Sequence, residues 1–196
     1  MIDTRRYQWM IGGIGLVLVI AFSIVMYLAP AHHSRPGVRA GQRLRRFVAP
    51  LATSDLDLPA NTAPRCDPAH PARRGLNVCD RAPIVLAFFA TDGKPCIRAV
   101  SALQRISVSY PNTTFAAVAA GGGKRATLAL VRRHHWTIPV AYDSSTAVAQ
   151  LYDITVCPLI EVAGPGGIVR RLLIGNHWDS TRTLAPAIGH VLSHSQ

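Results

Sequence analysis

The stretch FFATDGKPCIRAV, Phe88 to Val100, decides how the chain is read. It closes an uninterrupted apolar run, Pro83 to Ala90, of the length and composition expected of a strand buried on both faces. A short turn follows, and Pro95 then opens a helix at a position where its missing N–H is not needed. Beyond it Cys96, Val100, Leu103, Ile106 and Tyr110 recur at three- and four-residue steps, the spacing of an amphipathic helix. Cys96 therefore falls in a first helical turn, where unsatisfied N–H groups and the positive end of the helix dipole favour a thiolate. Lys94 and Arg98 add to that field, and Asp92 opposes it.

Downstream, TTFAAVAA (113–120) reads as a second buried strand, broken by GGGK (121–124) and followed by a helix ending near His135. TIPVAYD (137–143) gives a third strand, and SSTAVAQLYD (144–153) a helix capped by a serine. LIEVA (159–163), a Gly-Pro-Gly-Gly turn and IVRRLLIG (168–175) form a hairpin signal. Asp179 and Ser180 cap a last helix reaching Val191, with Pro186 as an interruption. Upstream, residues 46–58 offer short extended pieces. Residues 59–83 form a loop region rich in Pro, Asn and Asp that carries Cys66 and Cys79. There is no internal repeat. Alternating strands and helices followed by a hairpin predict an α/β domain with a mixed central sheet and helices on both faces.

Tyr7 to Ser34 contains no Asp, Glu, Lys or Arg. Its apolar core, residues 9–29, matches the ~20 residues a helix needs to cross hydrocarbon, and Trp9 and Tyr27 lie near its ends. The expected organisation is a short segment 1–8, a transmembrane anchor 9–29, a juxtamembrane linker 30–46 and a domain 47–196 with the Cys66/Cys79 loop. The rival is a cleaved signal peptide ending at Ala29-Pro30-Ala31, against which stand the length of the run and Pro30 itself. Arg35, Arg39, Arg43, Arg45 and Arg46 follow the span, against Arg5 and Arg6 before it. Counted alone, these charges place the domain in the cytoplasm. Four cysteines argue for an oxidising compartment, and large domains translocate with limited regard for charge. The expectation is a single-pass membrane protein with an extracytoplasmic domain.

The chain has 196 residues, 49% of them hydrophobic, enough for one domain with a core plus an appendage. The net charge of +11 comes from scattered arginines, clustered only at Arg43, Arg45 and Arg46, at Arg73-Arg74 and at Arg132-Arg133. No nucleic-acid motif accompanies them, and no nucleic-acid partner is expected. His32-His33 read as solvated linker residues. His134 and His135 fall at a helix end, where they meet terminal carbonyls, and His177 joins no ligand pattern. Neither a metal nor a cofactor is expected.

Three segments in order resemble the thioredoxin-like superfamily, in particular its membrane-tethered TlpA-like and redoxin members. VLAFFATDGKPC is similar to the strand and active-site turn that commonly reads F-W-A-T-W-C-x-P-C. IPVAYDSSTAVAQLYDITVCP resembles the stretch leading to the family's cis-proline loop, and LIEVAGPGGIVRRLLIG the hairpin after it. The resemblance implies that Pro158 is the cis-proline, that Cys157 faces the active-site turn, and that Cys96 is the second cysteine of the usual pair. Gly93 stands in place of the first, and Asp92 in place of the usual Trp. It further implies a groove for a protein partner along Pro158, Gly93, Lys94 and Pro95, with thiol–disulfide exchange centred on Cys96 and Cys157 as its resolving partner.

Two other functions stay open. A peroxiredoxin-like T-x-x-C site would use Cys96, although Gly93 lacks the threonine hydroxyl. A non-catalytic binding module would keep the groove with both cysteines buried as small apolar residues. Cys66 and Cys79 are expected to form a structural disulfide in the loop; the rival is a mobile pair that reaches Cys96.

Overall fold

The computed structural model describes residues 13–24, 35–66, 74–79 and 83–193. It divides into two units, Met1–Ser34 and Arg35–Gln196. In the first, residues 13–24 form helix α1, whose Ile14, Leu16, Val17, Leu18, Val19, Ile20, Phe22 and Ile24 are all exposed. Among the described residues no helix is long and apolar enough to cross a membrane. The expected span 9–29 extends past α1 at both ends, outside the described residues, so the anchor rests on the sequence.

The second unit is built on β3 (Ile84–Phe89), whose six residues are all buried. It pairs in parallel with β4 (Thr114–Ala120) and antiparallel with β6 (Leu159–Ala163). β5 (Val140–Asp143) and β7 (Val169–Ile174) complete a five-stranded mixed sheet in the order β5-β4-β3-β6-β7. The two-residue period of β3 separates two cores. Val85, Ala87 and Phe89 pack with α2 (Lys94–Ser107), α5 (Thr181–Ser193) and Val131 of α3 (Lys124–His134). Ile84, Leu86 and Phe88 pack on the other face with Val148 of the short α4 (Ala147–Leu151), Tyr152, and an antiparallel hairpin of β1 (Phe47–Pro50) and β2 (Gly75–Val78). The expected mixed sheet with helices on both faces is present, unevenly: α2, α3 and α5 share one face.

Four local expectations change. Residues 35–46 do not form a linker. Val38 and Leu44 are buried, and the backbone of Gly41, Gln42 and Leu44 pairs with Val169 and Gly167 beside the start of β7. Their polar, Pro- and Gly-broken composition suits an edge segment whose partners are distant in sequence. β2 lies inside the expected loop, its Leu76 and Val78 alternating into the core over only four residues. Helix α4 is not capped by serine: the Asp143 carboxylate accepts the Ala149 N–H at 2.8 Å, because Thr146 takes a left-handed turn and delays the helix. Pro186, expected to interrupt the last helix, is accommodated inside α5 on its exposed side.

Cys66 and Cys79 form a disulfide with Cα atoms 5.5 Å apart, fastening the loop to the end of β2. A crosslink across 13 residues restricts the unfolded chain and contributes about 3 kcal/mol. The double substitution Cys66→Ser with Cys79→Ser is expected to lower unfolding stability by that amount. Urea midpoints taken with the other disulfide intact provide the check.

Candidate redox site

The carboxyl end of β3 delivers the turn Ala90–Gly93. Gly93 is extended (φ −84°, ψ 106°) and caps α2 with its backbone alone, its carbonyl accepting the Ile97 N–H at 3.0 Å. Lys94 and Pro95 are the first two helical residues and Cys96 the third, among the N–H groups that no side chain caps. The glycine loop after β4 abuts this turn: a Cβ on Gly122 would sit 2.9 Å from the Thr91 methyl.

From the other side, register brings in Cys157. Leu159 pairs with Phe88, so the residues just before β6 lie beside those just after β3. The Cys157–Pro158 peptide is cis. The Ala90 N–H donates to Cys157 Sγ at 3.2 Å, and the Gly175 N–H donates to the Pro158 carbonyl at 2.9 Å, closing the site with the end of β7. Cys96 and Cys157, 61 residues apart, are joined in a disulfide with Cα atoms 5.6 Å apart.

The two sulfur-bearing residues differ in exposure. Cys96 is 4% exposed and belongs to the core with Val100 and Leu103. Cys157 is half-buried and follows the exposed Thr155 and Val156. Lys94 is exposed, Gly93 and Pro95 are half-buried, and Pro158 is buried. Arg98 is not available to Cys96: it pairs with Asp179 (Nε–Oδ2 2.9 Å), tying α2 to the segment before α5. Cys66 and Cys79 pair with each other and not with this site. The histidines are dispersed. His134 stacks on Trp136, His135 is the left-handed residue ending α3, and His177 meets Trp178 edge-on. Among the described residues no three His, Cys, Asp or Glu converge.

Sequence reasoning missed two groups. One is the Ala90 amide, which no side-chain pattern reveals. The other is Glu161, passed over inside LIEVA although a lone carboxylate in an apolar strand is itself a signal. Fully buried, Glu161 accepts the Val38 N–H on Oε1 at 2.5 Å, while Oε2 has no partner among the described residues. Burial pushes its pKa up to about 8, against the pull of the Val38 N–H and Arg45.

No family model matches the chain, and no curated protein matches its sequence. Solved structures do match. A Bacteroides thetaiotaomicron protein assigned as a protein disulfide isomerase superposes with a TM-score of 0.60 at 11% identity, over 80% of this chain and 91% of that one. A Chlorobium tepidum protein assigned as a thiol:disulfide interchange protein DsbE gives 0.56 at 15% identity, over 70% and 86%. A thioredoxin-like protein from Porphyromonas gingivalis gives 0.52 at 17% identity, over 63% and 86%. The fold is thioredoxin-like. At these identities the likeness is one of architecture, and in that architecture the Cys96–Cys157 disulfide spans the turn after β3 and the loop ahead of β6.

Proposed function

We propose that the chain is a membrane-anchored, extracytoplasmic thiol–disulfide oxidoreductase acting on a protein thiol or disulfide. The observation that carries this reading is the Cys96–Cys157 disulfide, which joins a buried residue to a half-buried one. The sequence reading gave the attacking role to Cys96; in this proposal it passes to Cys157, supported by its being the more exposed residue of the two. A partner thiolate attacks Cys157 Sγ, forming a mixed disulfide, and the electron pair of the broken bond goes to Cys96. Cys96 is a good leaving group there, because the start of α2 stabilises its thiolate. A second partner thiolate then attacks the partner's own sulfur in the mixed disulfide. Cys157 leaves as a thiolate hydrogen-bonded by the Ala90 N–H, and the partner departs oxidised. Run backward, the same steps reduce a partner disulfide. Gly93, Lys94 and Pro95 line one side of the approach, and the backbone ahead of Pro158 lines the other. The chemistry uses two sulfurs and calls for no cofactor.

The anchor is supported by the charge-free run around residues 9–29, and the location by the two disulfides, which persist in oxidising compartments. The test is electron exchange. Oxidised full-length protein in detergent should convert a peptide dithiol to its disulfide, forming one protein dithiol per event. A protein that exchanges with neither peptide dithiols nor glutathione is a binding module on this fold, and the oxidoreductase reading is then wrong.

A further inference from the structure

Gly93 sits at a position whose backbone does not require glycine, since φ −84° and ψ 106° suit any L-residue. Space gives the reason. A Cβ built on Gly93 would lie 2.7 Å from Cys96 Sγ and 3.4 Å from Cys96 Cβ, and the first is far inside carbon–sulfur contact. The Cys96 sulfur thus occupies the volume that a side chain at 93 would take, and from there it reaches Cys157. We propose that Gly93 is a positioning residue for the redox pair, leaving open the space that the Cys96 sulfur occupies when bonded to Cys157.

This inference deepens the oxidoreductase reading and rests on it for its functional meaning. In the dithiol the Cys96 thiol turns about its own Cα–Cβ bond and avoids a new neighbour. In the disulfide the sulfur is held by Cys157 and cannot. A side chain at 93 therefore penalises the oxidised form selectively, so the missing Cβ biases the pair toward the disulfide. The equilibrium is protein disulfide plus two glutathione thiols going to protein dithiol plus one glutathione disulfide.

Full-length protein carrying Gly93→Ala, equilibrated across glutathione ratios, should shift toward the dithiol by roughly tenfold. Its melting temperature should fall when oxidised and stay near the parent value when reduced. In a Cys96→Ala background, where no sulfur fills the space, Gly93→Ala should leave melting nearly unchanged. An unshifted glutathione equilibrium overturns the proposal. So does an equal loss of melting temperature in both redox states, which marks an ordinary packing or capping defect. If the parent protein itself exchanges with neither glutathione nor a peptide dithiol, the oxidoreductase reading fails. The melting comparison of the disulfide form with the Cys96→Ala background then decides the role of Gly93 alone.

Discussion

Replacing Cys96 by serine is expected to leave Cys157, a half-buried residue, as a lone thiol that attacks partner disulfides and holds those partners as mixed disulfides. Replacing Cys157 by serine is expected to leave Cys96 4% exposed and nearly inert toward them. Both substitutions should abolish turnover, on the order of a thousandfold or more, because each removes one of the two sulfurs that act as a unit. They part in what accumulates. With Cys96→Ser the partner-reducing direction stops after Cys157 attacks the partner disulfide: the Cys96 thiolate that would break the mixed disulfide is absent, and the Ala90 N–H still holds Cys157 in place. With Cys157→Ser a partner must reach the sulfur of Cys96, a residue that is only 4% exposed. Non-reducing gels of full-length protein incubated with a disulfide-bearing peptide, whose second sulfur leaves as a thiolate when the adduct forms, read the difference. Adducts on the Cys157→Ser protein and none on the Cys96→Ser protein reverse the assignment of roles.

Glu161→Gln is expected to raise stability at and above neutral pH and to flatten its pH dependence. Glu161 lies in the middle of the sheet, in register with Leu86 of β3 and Leu172 of β7, and holds the 35–46 segment through Val38. Nearby, Arg45 donates to the Leu151 carbonyl and sits 3.8 Å from Asp153, and the Tyr152 hydroxyl donates to the Arg45 carbonyl. Burial, with Glu161 adding to it, raises the Tyr152 pKa further above its usual value, so that phenol stays neutral.

The folded protein keeps a proton on Glu161 up to about pH 8, whereas the unfolded chain releases it near ~4.3. Between these values the folded state binds more protons. This contribution is fully present below the lower value and is lost as pH rises through the upper one, at up to about 1.4 kcal/mol per pH unit. Glutamine keeps the acceptor for Val38 and carries no charge to bury. The variant should match the parent near pH 4 and exceed it by roughly 4–5 kcal/mol near pH 8. Urea midpoints measured for both proteins from pH 4 to 9 test this. Parallel curves mean that Glu161 is solvated or otherwise neutralised.

The parts of the fold carried by continuous patterns were legible. β3 announces itself as an apolar run, α2 by its three- and four-residue spacing, and the β6–β7 hairpin by its glycines. What escaped depends on partners far along the chain. The 35–46 segment reads as a linker because its packing is made elsewhere: Gly37, at φ +81°, brings its Cα against Glu161 and Leu172, where any Cβ would collide. β2 is four residues set among prolines, too short for its alternation to stand out.

The site was half legible. The resemblance implied that the two cysteines meet, but the order of attack turns on which sulfur faces water. The sequence placed Cys96 in the apolar series of Val100 and Leu103, and all three are buried. The helix-dipole argument at the start of α2 drew the nucleophile's role to Cys96, whereas the same field equally favours a leaving thiolate.

The most direct test of the account is quantitative alkylation of Cys96 and Cys157 in the full-length protein, mapped by mass spectrometry across glutathione redox ratios. The account predicts that both thiols disappear together as the buffer becomes oxidising and return together on reduction. At intermediate ratios, glutathione should be found attached to Cys157 and not to Cys96. Thiols that remain alkylatable under every oxidising ratio, or a Cys96–Cys157 bridge that never opens short of unfolding, would contradict it.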